Sequence, residues 1–281
     1  MNTFLFPGVQ LCFCSFNKPH HHNHEAFDNF IEINYCKEGR IGWDMGNGNK
    51  IFLGHGDFSI HGMKTCASSK IFLPTNHYEG IKIIIDLNIF QDNKPDLLSD
   101  IDIQALFMNF CNEGVVSSYS QTPESEMIFS YFYNNYGIIK LSYFKLKFME
   151  LILYFYNLNP NSISRIKEYN SQQTELIHNI HDYLMENLGE RITINELSSI
   201  FHMNPTTLKS TFKAVYGDSI AMHMKMHRMK KAADLLSKTD LSLAEISHSI
   251  GYENQSKFSS AFKEIYNMLP NTYRKSIIKD S

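Results

Sequence analysis

The sequence predicts an α+β protein, with a β-rich first half that ends in helices and an all-α second half. Two observations carry this. Up to about Leu87, apolar and polar residues alternate in short runs separated by Gly- and Asn-rich turns, the period of half-buried strands. From Gln172 onward the apolar spacing changes to three and four residues, and one pattern occurs twice: a capping box, a short helix, a turn, and a second helix carrying Phe-Lys-x-x-Tyr. The copies at Phe212–Tyr216 and Phe262–Tyr266 lie 50 residues apart, a period that marks duplicated architecture.

In the first half, Phe30 to Cys36 sets Ile31, Ile33 and Tyr35 on one face and Glu32, Asn34 and Cys36 on the other. Ile41, Trp43 and Met45 alternate with Gly42 and Asp44, Gly46-Asn47-Gly48-Asn49 turns the chain, and Lys50 to Leu53 returns. Further strands at Phe58 to His61, Lys70 to Leu73 and Gly80 to Leu87 complete a set of short hairpins, for which a small barrel is the expected closure. The faces holding Ile33, Tyr35, Trp43 and Phe58 carry more aromatic bulk than a small core needs. They point to a pocket for an apolar or aromatic small-molecule effector.

Helices are expected at Ile101 to Cys111, Glu124 to Asn134 and Leu141 to Leu158. The last has a broad stripe of Phe144, Phe148, Leu151, Ile152 and Phe155, and little polar surface near its end. It needs cover on more than one side, from the barrel or from a second copy in a homodimer. The expected organisation is a sensor and dimerisation domain at 1–158, an Asn- and Ser-rich linker at 159–171, and a helical domain at 172–281.

The second half opens with a helix from Gln172 to Leu188. Thr193-Ile194-Asn195-Glu196 and Ser242-Leu243-Ala244-Glu245 are the two capping boxes. The first leads through His202-Met203 to a helix opening at Asn204-Pro205 and burying Leu208, Phe212 and Val215. The second leads through Gly251 to a helix near Asn254 that buries Phe258, Phe262 and Ile265 and stops at Leu269-Pro270. Ser219 to Ser237 joins the units as one helix of about 27 Å, close to the roughly 34 Å between successive major-groove faces of a duplex. Each pair of helices is a helix-turn-helix candidate.

Burial of the Phe and Leu residues leaves Thr206, Thr207, Lys209, Ser210 and Lys213 outward on one recognition helix, and Gln255, Ser256, Lys257, Ser259 and Ser260 on the other. Gln can pair with adenine, Lys with guanine, and Ser or Thr with several base edges. Lys213, Lys263, Arg274 and Lys275 suit phosphate contact, or a solvated helix face.

From Gln172 to Ile278 the chain resembles the AraC/XylS family of transcription regulators. The resemblance rests on Ala232, Leu235, Leu236, Ile246, Gly251, Tyr252, Phe258, Phe262, Lys263, Pro270, Tyr273 and Arg274 at their spacing. It implies two helix-turn-helix units in one chain, base-reading side chains at Thr206, Lys209, Ser210, Gln255, Ser256 and Ser260, and a cupin-like barrel as the sensor half. Gly56-Asp57-Phe58 is similar to the turn such barrels use. The first unit departs from the pattern, with His202 where the second has Gly251.

The chain of 281 residues has net charge −3; residues 1–170 carry 13 basic and 17 acidic side chains, residues 171–281 carry 13 and 12. DNA affinity must therefore come from local placement of Lys and Arg, not from a general positive field. Five cysteines without a Cys-x-x-Cys pair argue against a disulfide framework or structural zinc, no basic start precedes the first apolar residues, and no apolar run spans a bilayer. A cytoplasmic protein without a membrane partner is expected. His20-His21-His22-Asn23-His24-Glu25 could bind a metal with His61 or His77, as in a cupin enzyme, but a polar loop needs none. Neither a cofactor nor a catalytic residue is assigned. The sequence thus predicts a ligand-responsive activator that binds double-stranded promoter DNA as a homodimer, with RNA polymerase a further candidate partner. Alternatives are a constitutive dimeric regulator without effector and a metal-dependent cupin enzyme fused to a DNA-binding module.

Overall fold

The computed structural model describes residues 2–18, 27–44, 47–66, 69–111, 116–133 and 140–279. It divides into two compact units, Met1–Ser171 and Gln172–Ser281.

The first unit runs β1 (Asn2–Phe6), β2 (Val9–Phe16), β3 (Phe30–Gly39), β4 (Ile41–Asp44), β5 (Asn49–Leu53), β6 (Phe58–Gly62), α1 (Met63–Cys66), β7 (Lys70–Phe72), β8 (Tyr78–Asp86), α2 (Leu87–Asp92), α3 (Ile103–Met108), β9 (Ser117–Tyr119), α4 (Pro123–Tyr133), α5 (Leu141–Asn157) and β10 (Tyr169–Asn170). The strands pair antiparallel into a six-stranded sheet, β1-β2-β8-β3-β6-β9, and a four-stranded sheet, β10-β5-β4-β7. The expected closed barrel does not form among the described residues. The chain changes sheets at Gly39, where φ is +75° and a Cβ would meet the His77 carbonyl oxygen at 2.1 Å. Pairing then ends at β1 and β9 in one sheet and at β10 and β7 in the other, leaving two open sheets.

One face of the larger sheet, with Ile31, Ile33, Tyr35, Phe58, Ile81 and Ile83, forms a core with α2 to α5. Tyr35 stacks on Phe129 of α4 at 4.4 Å between centroids, and Phe6 meets Phe148 of α5 at 5.9 Å. A second core joins the two sheets through Cys36, Ile41, Trp43, Leu53, Ile71, Leu73 and Tyr78. Strand β3 is therefore buried on both faces, although its alternation reads as half-buried.

The stripe of α5 predicted from spacing is fully enclosed within this unit, whereas Leu146 and Tyr156 stay exposed. Residues 159–171 run along the first unit: Ile166 N–H donates to the Ser118 carbonyl at 2.8 Å, and β10 extends the smaller sheet.

The second unit contains α6 (Ser171–Glu186), α7 (Ile194–Ile200), α8 (Pro205–Tyr216), α9 (Ile220–Lys238), α10 (Leu243–Ser249), α11 (Gln255–Tyr266) and α12 (Pro270–Lys279). Pro270 does not only stop a helix. Asn267, left-handed at φ +56°, ends α11, and Pro270 opens α12 as its first residue, the one helical position where a missing N–H costs nothing. Gly217 at φ +91° ends α8 in the same way, and α9 follows from Ser219, whose side chain accepts from Met222 N–H. The repeat is thus a three-helix unit. Among the described residues no helix is long and apolar enough to cross a membrane.

Candidate nucleic-acid interface

Both capping boxes form. Thr193 N–H donates to the Glu196 carboxylate at 2.7 Å, and Glu196 N–H to the Thr193 hydroxyl at 3.2 Å; Ser242 and Glu245 repeat this at 2.7 and 3.3 Å. These bonds hold the Glu196 and Glu245 carboxyls below their usual pKa. Each turn is then closed by a Ser on the first helix, Ser198 donating to the Met203 carbonyl at 2.7 Å and Ser247 to that of Tyr252 at 3.2 Å. The turn residues His202 (φ +50°) and Gly251 (φ +80°) are both left-handed. The His202 substitution thus keeps the turn and carries its strain in the backbone.

The recognition helices start alike, the Asn204 side chain accepting from Thr206 N–H at 2.8 Å and Asn254 from Ser256 N–H at 2.7 Å. Leu208, Phe212 and Val215 of α8 and Phe258, Ala261 and Phe262 of α11 are buried. The opposite faces present Thr206, Lys209, Ser210 and Lys213 on α8 and Ser256, Ser260 and Lys263 on α11, all exposed at helical spacing. Gln255 and Lys257 are exposed as well; Thr207 and Ser259 are half-buried at the edges of their faces. A shift of 50 carries the first set onto the second, with Ser259 in the place of Lys209. Helix α9 supports both: Ile220, His223 and Met224 are buried in its first half, while Met229, Ala232, Ala233 and Leu236 share a core with α10 and α11.

Arg274 makes contacts within the fold that its spacing does not announce. Its guanidinium donates to the carbonyl of Leu236, in the last turn of α9 where carbonyls lack helical partners, at 3.4 Å, and to that of Leu241, in the loop that follows, at 2.6 Å. Arg228 likewise ties down the loop after α6, donating to the carbonyls of Leu188 at 2.8 Å and Glu190 at 2.6 Å. Spacing alone gave Arg274 only a phosphate contact or a solvated helix face. The repeat gave no signal for them either, since Arg228 and Arg274 lie 46 residues apart and not 50.

In the first unit, Ile33, Tyr35 and Phe58 lie in the helix-side core, each at most 3% exposed, and only Trp43 of the four expected effector residues lies between the sheets. Strand parity is the reason, since Ile33 and Tyr35 share a face of β3 opposite to Glu32 and Asn34. A small cavity there is lined by Trp43, Tyr78, Phe16, Glu32, Asn34 and Lys82. Glu32 is 3.1 Å from Lys82 and 3.7 Å from His61, and accepts from Asn34 at 2.9 Å. Burial alone would raise the Glu32 pKa, but the Lys82 ammonium, His61 and the Asn34 bond outweigh it and hold the carboxyl well below its ordinary value. Sequence reasoning missed this polar group, although its signal was a charged face on a strand between apolar neighbours. His61 is buried beside Glu32, and His77 is 3.0 Å from Asn17. The expected metal ligands His20 to His24 lie outside the described residues.

Residues 197–276 match the family described as "Helix-turn-helix domain". The Msm operon regulatory protein of Streptococcus mutans is 28% identical over 115 residues, 41% of this chain and 41% of that protein. A putative AraC-like transcription regulator of Streptomyces lividans is 35% identical over 83 residues, 30% of this chain and 27% of its own length. The chain thus spans less than half the length of these relatives. The C-terminal domain of AraT, a response regulator from Geobacillus stearothermophilus, has a TM-score of 0.36 and 29% identity, with 38% of this chain and 88% of that chain covered. With two capped helix-turn-helix units on one spacer helix, and with a helix-turn-helix family matched over residues 197–276, the second half of this chain carries an AraC-type helix-turn-helix domain.

Proposed function

We propose that the chain is a transcription regulator that binds promoter DNA sequence-specifically, and that its first unit dimerises and adjusts this binding in response to a small molecule. The two matched outward faces, rooted on α9, carry the reading. Thr206, Lys209 and Ser210 would read one half of the site and Gln255, Ser256 and Ser260 the other, while Lys213, Lys257 and Lys263 would reach phosphates. Activation through RNA polymerase and a cytoplasmic setting belong to the same proposal. Selection from a random duplex pool followed by footprinting tests it. One preferred site is expected, spanning two turns of duplex, with affinity that falls steeply in added salt. Equal protection of all sequences would refute it.

An effector would touch Trp43 and Tyr78 with an apolar body and Lys82 or Asn34 with a polar end. The cavity is about 20 Å³, room for about one water, so side chains must part to admit a ligand. That small volume favours a second reading, a constitutive regulator whose first unit only dimerises. Trp43 is the only tryptophan, so its emission decides between them. Compounds that change DNA affinity should also shift Trp43 emission under the first reading; under the second no compound does either.

A further inference from the structure

Three imidazoles converge behind the first recognition helix. His181 comes from α6, and His223 and His227 come from successive turns of α9, a spacing of four that puts both on one helix face. One ring nitrogen of each lies within 4.8 Å of those of the other two. The ring centroids are 5.1 Å apart for His181 and His223, 6.0 Å for His181 and His227, and 4.6 Å for His223 and His227. His223 is 9% exposed, and its Nε2 is buried with no hydrogen-bond partner among the described residues. His181 Nδ1 is 3.3 Å from the Asp182 carboxylate, a contact of the kind that fixes which imidazole nitrogen is left to ligate.

Packing does not by itself call for imidazole here. The positions 50 residues later carry Tyr273 and Ile277. Tyr273 packs on Tyr266 at 5.3 Å, much as His223 packs on Tyr216 at 4.9 Å. A plain aromatic ring therefore fills this corner of the second repeat. Burial, reinforced by the neighbouring imidazoles, pushes His223 down to about 3 and His227 below its ordinary value, so both are neutral at pH 7, the form that ligates metals.

We propose that His181, His223 and His227 form a site for an imidazole-preferring divalent cation of the Zn²⁺ class, which pins α6 to α9 at the root of the first helix-turn-helix. Three nitrogen donors suit zinc and leave its fourth position to water, whereas Mg²⁺ and Ca²⁺ call for oxygen ligands. Zinc–nitrogen bonds of about 2.0–2.1 Å put tetrahedral donors roughly 3.3 Å apart. His181 and His227 are only half-buried, so rotation of their side chains can close the remaining distance. Tyr216, the last residue of α8, stacks on His181 at 4.5 Å and 15°, and its hydroxyl is 3.0 Å from His178 Nδ1. Metal on His181 thereby fixes the end of the recognition helix. The grouping of Glu38, His77 and Glu79 in the first unit offers less, because it is more exposed and Lys37 already sits 3.3 Å from Glu79.

The test uses the full chain with His20, His21, His22 and His24 replaced by Gln, so that the N-terminal cluster takes no metal. Equilibrium dialysis should give one bound Zn²⁺ per chain, Co²⁺ should give the visible absorption of a tetrahedral site, and Zn²⁺ should raise the thermal midpoint. Into this background go His227→Gln and His223→Tyr, the latter borrowing the ring that the second repeat uses. Each should weaken Zn²⁺ binding by at least about tenfold and remove the Co²⁺ absorption, with the metal-free circular dichroism unchanged. If one substitution unfolds the chain, the other decides. No uptake by the parent background, or undiminished uptake in the folded variants, would overturn the site.

Discussion

The backbone of Gly251, in the turn of the second helix-turn-helix, rests on the carbonyl of Gly189, in the loop before the first: a Cβ on Gly251 would lie 2.3 Å from that oxygen. Because Gly251 also holds φ at +80°, two independent costs meet at one residue. Gly251→Ala is expected to lose roughly 1–3 kcal/mol from backbone strain, and more if the Gly189 loop cannot retreat. A drop in the thermal midpoint, with DNA binding lost in parallel, is the expected result. Parent-like stability would mean that the two turns do not abut.

The first turn invites the reverse change. His202 is left-handed at φ +50° with an exposed side chain, so His202→Gly should relieve strain and stabilise the chain by up to about 1 kcal/mol, part of the relief being lost to the greater freedom of the unfolded chain. Denaturant titration at constant m-value checks the sign.

Arg274→Ala and Lys263→Ala should separate cleanly. The arginine bonds two backbone carbonyls, so its loss should lower stability by roughly 1–3 kcal/mol and leave the salt dependence of DNA binding unchanged in the folded protein. Lys263 is exposed on α11, and its loss should leave stability within about 0.5 kcal/mol while reducing the salt slope by about one. An Arg274 variant of full stability and shallower salt slope would return it to the phosphate contacts.

Lys209→Ala and Gln255→Ala should alter sequence preference in different halves of the site, each costing roughly 1–3 kcal/mol where the contact is bidentate. Lys213→Ala should instead weaken every sequence alike. Equal losses on matched and random duplex in all three would refute this division of labour.

The buried Glu32, paired with the partly exposed Lys82, gives the first unit an acid limit. A carboxyl whose folded pKa is depressed contributes its full stability above its ordinary value near 4.5, and loses it as pH falls through the folded value. Unfolding followed at Trp43 should therefore become easier below about pH 4.5. Lys82→Met should lower stability at neutral pH by removing the cation nearest the buried carboxylate, by less than the roughly 3–5 kcal/mol of a fully buried pair because Lys82 is partly exposed and His61 and Asn34 remain, and adding Glu32→Gln should recover much of the loss. A flat acid profile would mean that Lys82 does not hold the Glu32 carboxylate ionised.

The second half was legible in unusual detail because local chemistry and the repeat agreed. Capping boxes at Thr193 and Ser242, the Pro205 start and the Phe212 and Phe262 positions each declare a helix end or a buried face without reference to distant residues. Helix α12 escaped because proline marks both where a helix stops and where the next may begin. In the first half the strands were legible but their layering was not. Alternation tells which residues share a face, as Ile33 and Tyr35 do, and is silent on whether that face meets helices or a second sheet. The effector assignment turned on that undetermined choice. The convergence of His181 with His223 and His227 was hidden by the 41 residues between His181 and His223, although the spacing of four within α9 was visible.

Helix α9 gives the protein a fixed angular phase as well as a fixed length. Each residue in it advances the second reading head by about 100° around the helix axis and by about 1.5 Å along it. Under the proposed function, one inserted alanine would leave every outward side chain and every core residue present, yet it would aim α11 at a different side of the duplex. On the proposed function, operators and α9 would therefore change together, in whole steps, whereas the residues on the outward faces of α8 and α11 would be free to drift one at a time.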